Sequence, residues 1–227
     1  MPRDSAEGDP AGNPIGFVRS PTLQLRTFVD DQREALPPVD FAGMIGHLRS
    51  QFEEYTNALA SAPAGVERGR LLHRMMDDAI ATAPRVPIAC RYGCCGCCHS
   101  EVEITPDEAE VLRERVSDGF EIDRSRLSVQ AARERMSPEW AKFWSPENRC
   151  VFLSTEGTCR IYEDRPAVCR RSLVTSPPEA CTTAGAALAP VRILLVEILL
   201  SAAISMEGAS FGSLSKMLKP GLQKEFS

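Results

Sequence analysis

Five cysteines fall within nine residues in the stretch CRYGCCGCC, Cys90 to Cys98, and His99 follows directly. Packing of a globular core does not call for thiols at that density. The stretch therefore restricts the chain to a disulfide-stapled architecture or to one organised around a metal. Four further cysteines, Cys150, Cys159, Cys169 and Cys181, bring the total to nine in 227 residues, and an odd count leaves one thiol over in any fully paired disulfide scheme. The opening residues, MPRDSAEGDPAGNPIG, hold no apolar run of the kind a secretory signal requires. The chain is expected to be soluble and cytoplasmic, in a reducing compartment where clustered cysteines bind metal or carry out chemistry.

Bulk properties narrow the partners. Hydrophobic residues make up 43% and charged residues 25%, as in ordinary globular proteins. The net charge of −5 and pI near 5.4 argue against nucleic acid as a partner. The most apolar segment, Ala186 to Met206, is interrupted by Pro190, Arg192 and Glu197, so no membrane association is expected.

Periodicity predicts a mainly α fold: a small helical domain with a cysteine-rich metal-binding core and a short β-hairpin. Residues 1–37, rich in Pro, Gly, Asp and Ser, read as a flexible N-terminal extension within which PTLQLRTFV is a short packing arm. Residues 38–227 read as a single helical domain with its metal site across 90–181. Phe41, Met44, Ile45, Leu48, Phe52, Tyr55 and Leu59 recur at three- and four-residue steps and predict a helix from Pro38 to about Ala60. A second helix is expected over Val66–Ala81. Glu101–Ile104 alternates like a short strand. Thr105, Pro106 and Glu108 then stand as N-cap, first helical residue and N3 partner of a capping box. Further helices are expected over about Asp123–Met136, from Ser137-Pro-Glu into Trp140, Phe143 and Trp144, over Val191–Met206, and over Phe211–Leu218 with a stop at Pro220-Gly221.

The first cysteine group reads Cys90-x3-Cys94-x2-Cys97-Cys98, with Cys95 as an extra, and Gly93 and Gly96 permit the tight loop this needs. The later cysteines follow at steps of nine, ten and twelve residues, too long for one loop. A hairpin between Cys150 and Cys159, turning in SerThrGluGlyThr, and a helical turn opened by Pro166 would bring Cys159 and Cys169 back to the first group. Basic residues flank the cysteines in an otherwise acidic chain. Arg165 and Arg170 are the main candidates to offset thiolate charge as supporting residues, with His99 beside the loop and Tyr162 as a shield from solvent.

CRYGCCGCC followed by EVEITPDEAEVL, CVFL, CRIYEDRPAVCR and Cys181 resembles the CxxxCxxCC (YkgJ-type) family of zinc- or iron-chelating proteins. The resemblance covers about residues 90 to 181 and implies Cys90, Cys94, Cys97, Cys98, Cys150, Cys159, Cys169 and Cys181 as the metal-binding positions. Cys95 is an addition to that pattern. The same pattern is more weakly similar to flagellin lysine N-methylases, which are longer. That similarity implies S-adenosylmethionine, a [4Fe-4S] cluster and a protein-lysine substrate.

All-sulfur ligation suits zinc and iron–sulfur clusters alike. Three cysteines at x3 and x2 can wrap a cuboidal cluster, which favours [4Fe-4S] over zinc or mononuclear iron. The spacing is similar to the cluster loop of radical S-adenosylmethionine enzymes, but the alternating strands and helices of their barrel are not found, and Gly96 stands where those enzymes carry an aromatic residue. Catalytic residues are not identifiable: no Walker loop, GxGxxG or Gly-x-Ser-x-Gly occurs. The expectation is a cluster-binding protein acting in methyl transfer from S-adenosylmethionine to an amine, on a small molecule or a protein lysine, or in redox chemistry. The alternatives are a non-catalytic zinc- or iron-chelating module, and an interaction protein stiffened by its metal.

Overall fold

The structure, a computed structural model, describes residues 13–83, 85–142, 144–206 and 211–222. Within them the chain forms α1 (Leu23–Ala35), α2 (Pro38–Ala60), α3 (Val66–Thr82), α4 (Pro106–Ser117), α5 (Arg124–Ala131), α6 (Ala167–Arg171), α7 (Leu194–Ser205) and α8 (Leu214–Leu222). Four two-residue strands pair antiparallel in two sheets. β1 (Glu103–Ile104) pairs with β4 (Gly212–Ser213), and β2 (Leu173–Val174) pairs with β3 (Pro190–Val191). The class is mainly α, as the periodicity predicts.

Two apolar cores hold these elements. In the first, α7 packs against α1, α2 and α3. Every residue of α7 from Val196 to Ile204 is buried, which explains why the segment is apolar on all sides but for Glu197 and Ser201, both hydrogen-bonded to Thr22. The stripe of α2 meets it through Leu48, Phe52 and Leu59, and α3 contributes Leu72, Met76 and Ala79. Each of these side chains larger than alanine contributes about 1.5–3 kcal/mol on leaving water. The second core gathers Ile104, Leu112, Leu127, Phe152, Ile161 and Leu218 from α4, α5, α8, β1 and the segment after Cys150. The first core contains no cysteine, whereas Cys150 and Cys159 pack against the second.

Several boundaries differ from the sequence reading, each for a local reason. From residue 13 onward the expected N-terminal extension is packed structure. Thr22 caps α1 by accepting from the Leu25 N–H at 3.1 Å, and Leu25 and Val29 are buried against α7. Residues 1–12 lie outside the described residues. The helix expected from Ser137 does not form. The Asn148 amide donates to the carbonyls of Glu139, Trp140 and Lys142, which takes the acceptors that further helical turns would use. Phe143 lies outside the described residues. Helix α5 ends at Ala131 rather than near Met136, which itself lies at φ 56° and could not have continued it. Val191 opens no helix because it pairs with Leu173 in a sheet, so α7 begins at Leu194. Helix α8 runs through Pro220 to Leu222, past the expected stop, although Pro220 has no N–H to donate to Lys216.

Candidate metal centre

The capping box read from Thr105 and Glu108 is present and starts α4 immediately after the cysteine loop. The Glu108 carboxylate then reaches past its own helix. One oxygen accepts from the Ala167 N–H at 2.7 Å and lies 3.3 Å from His73 Nε2, while the other accepts from the Thr105 N–H and hydroxyl at 2.9 and 3.0 Å. A buried carboxylate thus joins α3, α4 and the start of α6, which carries Cys169.

The loop itself is held by backbone bonds. Cys94 N–H donates to Arg91 O at 3.0 Å, and Cys98 N–H to Cys95 O at 3.1 Å, where residues 96–99 make a 3-10 turn. Cys150 N–H donates to Cys98 O at 2.8 Å and brings the second cysteine segment onto the first. From Cys150 the chain turns through Gly157, whose φ is 80°, and returns in a bridge between Leu153 and Cys159, in keeping with the expected hairpin. Pro166 precedes α6, which presents Cys169. Gly96 is the point of closest approach to the last cysteine. A Cβ there would lie 2.4 Å from Cys181 Cβ, so only glycine lets the loop and the 178–182 turn meet.

All nine cysteines are free thiols. They converge on Cys97, whose charge is felt by Cys90, Cys95, Cys98, Cys150, Cys159, Cys169 and Cys181. Two neighbourhoods meet at this sulfur. Cys90, Cys94, Cys97 and Cys181 line a cleft, while Cys98, Cys150, Cys159 and Cys169 influence one another deeper in the protein. Among the described residues, no group of three or more cysteine, histidine, aspartate or glutamate side chains is closed into a coordination shell. The donor chemistry nonetheless fits a soft metal. The eight thiols come from separate chain segments, and no carboxylate is within hydrogen-bonding distance of any sulfur in the described contacts.

The hydrogen bond from Cys98 lowers the Cys97 thiol to about 7, with Arg165 adding to the effect, and the same bond pushes Cys98 up. Burial pushes Cys150 up to about 11 and Cys169 well above the usual thiol range. Burial also raises Cys90, Cys95, Cys159 and Cys181. Most of the thiols are therefore neutral, and a thiophilic cation would have to displace their protons to be held. Cys90 donates to Ser172 O at 3.6 Å and accepts from the Val174 N–H at 3.3 Å, which ties it to β2.

The supporting residues divide. Arg165 lies over the Tyr162 ring at 4.1 Å and lowers the thiols of Cys90, Cys97 and Cys159, so its charge faces the sulfurs. Tyr162 in turn meets Tyr92 edge to face at 5.2 Å. Arg170 does not face the sulfurs. Its guanidinium is buried and bonds to Asp77 and to the carbonyls of Glu163 and Arg165, fixing the turn before α6. His99 lies 3.3 Å through Nδ1 from Cys95 O and stacks on Trp144 with ring centroids 4.0 Å apart. Burial lowers its pKa, so the ring is neutral near pH 7.

The cleft above the sulfurs has a volume of about 520 Å³. Its walls include Trp140, Trp144, Leu188, Arg192 and Glu197, which the sequence reading did not assign to a site, and Arg171, one of the basic residues read as flanking the cysteines. They come from segments far apart in the chain. The one available signal was that the chain's only two tryptophans lie within five residues of each other, beside the cysteine-rich region.

Residues 89–183 match the model of the CxxCxxCC family, described as a "putative zinc- or iron-chelating domain". No curated protein and no solved structure matches the chain. Among the described residues, no helix is long and apolar enough to cross a membrane.

Proposed function

We propose that the protein binds a [4Fe-4S] cluster at the floor of the cleft, using ligands drawn from Cys90, Cys94, Cys97 and Cys181. Cys98, Cys150, Cys159 and Cys169 form the thiol bed beneath. The observation that carries the reading is the opening of four sulfurs into a cleft of about 520 Å³, a size suited to a small molecule. Soft thiolate donors favour iron–sulfur clusters and zinc, and a purely structural zinc would gain nothing from facing a cavity. When bound, the cluster would supply an electron-accepting iron centre beside whatever enters the cleft. The chain's own residues would hold that position. Arg165 supplies positive charge to the sulfurs, Cys90 is anchored to β2, and the Trp144–His99 stack narrows the water-exposed side. The chemistry would be methyl transfer from S-adenosylmethionine to an amine of a small molecule or a protein lysine, or a redox step.

A second reading, chelation of zinc or mononuclear iron without catalysis, is favoured by one observation. Each of the two thiol neighbourhoods offers four sulfurs, the number a tetrahedral thiolate site uses. Anaerobic purification separates the two. Brown protein with about four irons and four sulfides per chain supports the cluster. Colourless protein with stoichiometric zinc overturns it and establishes the second reading. Cys94→Ala is expected to lose the metal, and full metal retention would show that the ligand set is wrong at its centre.

A further inference from the structure

The cleft combines an aromatic wall with an unbalanced charge. Trp140 and Trp144 both line it, and Trp144 stacks on His99 and adopts a backbone φ of 53°, a left-handed conformation that a bulky residue adopts only when its surroundings impose it. Leu188 and Val191 face the same space. The charged side chains are Lys142, Arg171, Arg192 and Glu197. Glu197 is buried and accepts from Arg171 at 3.2 Å and from the Thr22 hydroxyl at 2.7 Å, so this pair is internally neutral. Lys142 and Arg192 are exposed, and neither forms an ion pair among the described residues. Two cations thus line the cleft without a direct ion pair, Lys142 acting only at longer range on the exposed Glu139, in a chain whose net charge is −5.

From this we infer that the cleft is a binding site for a small organic anion, a carboxylate or phosphate with a flat apolar body. The anionic group meets Lys142 and Arg192, and the body lies against Trp140 and Trp144 over the cysteine floor. The inference deepens the proposed function, on which it rests for what occupies that floor. Arg192 and Glu197 lie outside residues 89–183, as do Leu188 and Val191. Ligand contacts are therefore shared: the family-matched segment supplies the thiols, Trp140, Lys142 and Trp144, and the chain after it supplies Leu188, Val191 and Arg192. Arg165, which lowers Cys90, Cys97 and Cys159, does not line the cleft, so Lys142 and Arg192 there are separate from it.

The test uses anaerobically purified holoprotein of measured metal content. It is titrated calorimetrically with 2-naphthoate, 2-naphthyl phosphate and the neutral 2-naphthamide. Tryptophan fluorescence is followed in parallel, and every tryptophan in the chain lines this cleft. We expect at least one anion to bind about tenfold more tightly than the amide and to change the emission. Comparison of the two anions separates a carboxylate site from a phosphate site. Lys142→Glu combined with Arg192→Glu, both exposed positions where folding should be unaffected, should abolish the preference and leave amide binding as it was. Trp144→Ala should weaken anion and amide alike. Equal binding of anion and amide, binding of none of the three, or a preference that survives charge reversal overturns the inference. Because metal is measured on the same samples, metal-free protein that still prefers the anion would count against the cluster and not against the anion site.

Discussion

Glu108 accepts the backbone N–H of Ala167 at 2.7 Å across 59 residues of chain. The same carboxylate completes the capping box of α4 and contacts His73 of α3, so a single buried side chain fixes where α6 begins and hence where Cys169 is presented. Burial alone would push its pKa up. The His73 contact and the N–H groups of Ala167 and Thr105 outweigh that and hold it below the usual carboxylate range. Because the folded-state pKa lies below the unfolded one, the carboxylate stabilises the fold above about pH 4.3, and this contribution is lost as pH falls through the folded value. Glu108→Gln is expected to cost about 2 kcal/mol at pH 7. Denaturant titrations of both proteins should show the difference shrinking on acidification below about pH 4.3. A difference that stays constant with pH would rule out the ionised carboxylate as its source.

Gly96 and Cys181 allow a sharper test of the site. Alanine at 96 would bring Cβ to 2.4 Å from Cys181 Cβ, a separation that non-bonded carbons do not tolerate. The loop or the 178–182 turn must move, at a cost of about 1–3 kcal/mol for overpacking. We expect Gly96→Ala to purify with less metal than the parent while its far-ultraviolet circular dichroism is unchanged, because neither apolar core contains residue 96. Full metal content in this variant would mean that Cys181 is not a ligand.

Thr22 links the N-terminal helix to the cleft. It caps α1, donates its hydroxyl to Glu197 at 2.7 Å, and its N–H meets the Ser201 hydroxyl at 3.0 Å. Thr22→Ala removes the cap and leaves Glu197 with Arg171 as its remaining polar side-chain partner. A loss of about 1–2 kcal/mol is expected in urea unfolding, with Thr22→Ser recovering most of it. If serine does no better than alanine, packing of the Thr22 methyl is responsible and not its hydroxyl.

Periodic signals in the sequence translated directly into structure. The α2 stripe from Phe41 to Leu59 and the Thr105–Glu108 capping box depend on neighbours within one or two turns, and both appear where the residues place them. Long-range competition was not legible. Ser137-Pro-Glu has the local form of a helix start, but the Asn148 amide takes the carbonyls of Glu139, Trp140 and Lys142. Val191 is drawn into a sheet by Leu173, and Arg170 is drawn from the sulfurs by Asp77. The number and spacing of the cysteines marked a thiol-rich region, but not the central place of Cys97 in it. The cleft could not be read from the sequence, because Arg192, Glu197 and the two tryptophans meet only once α7 has packed.

Removal of the metal should be felt unevenly. The core built by α1, α2, α3 and α7 contains no cysteine, and its apolar burial is complete without a metal. The 150–161 segment, in contrast, places Cys150 and Cys159 against the second core, and residues 89–100 are held to it through the bond from Cys150 N–H to Cys98 O. Stripping the metal under reducing conditions would leave buried neutral thiols in place of bonds to a cation, and the free energy of metal binding would no longer support that half. Hydrogen–deuterium exchange is expected to rise across 89–100 and 150–183 while α2, α3 and α7 stay protected, with little change in overall helicity. Uniform loss of protection would show that the metal supports the whole fold, and no change at all would show that the cysteine segments are held by packing alone.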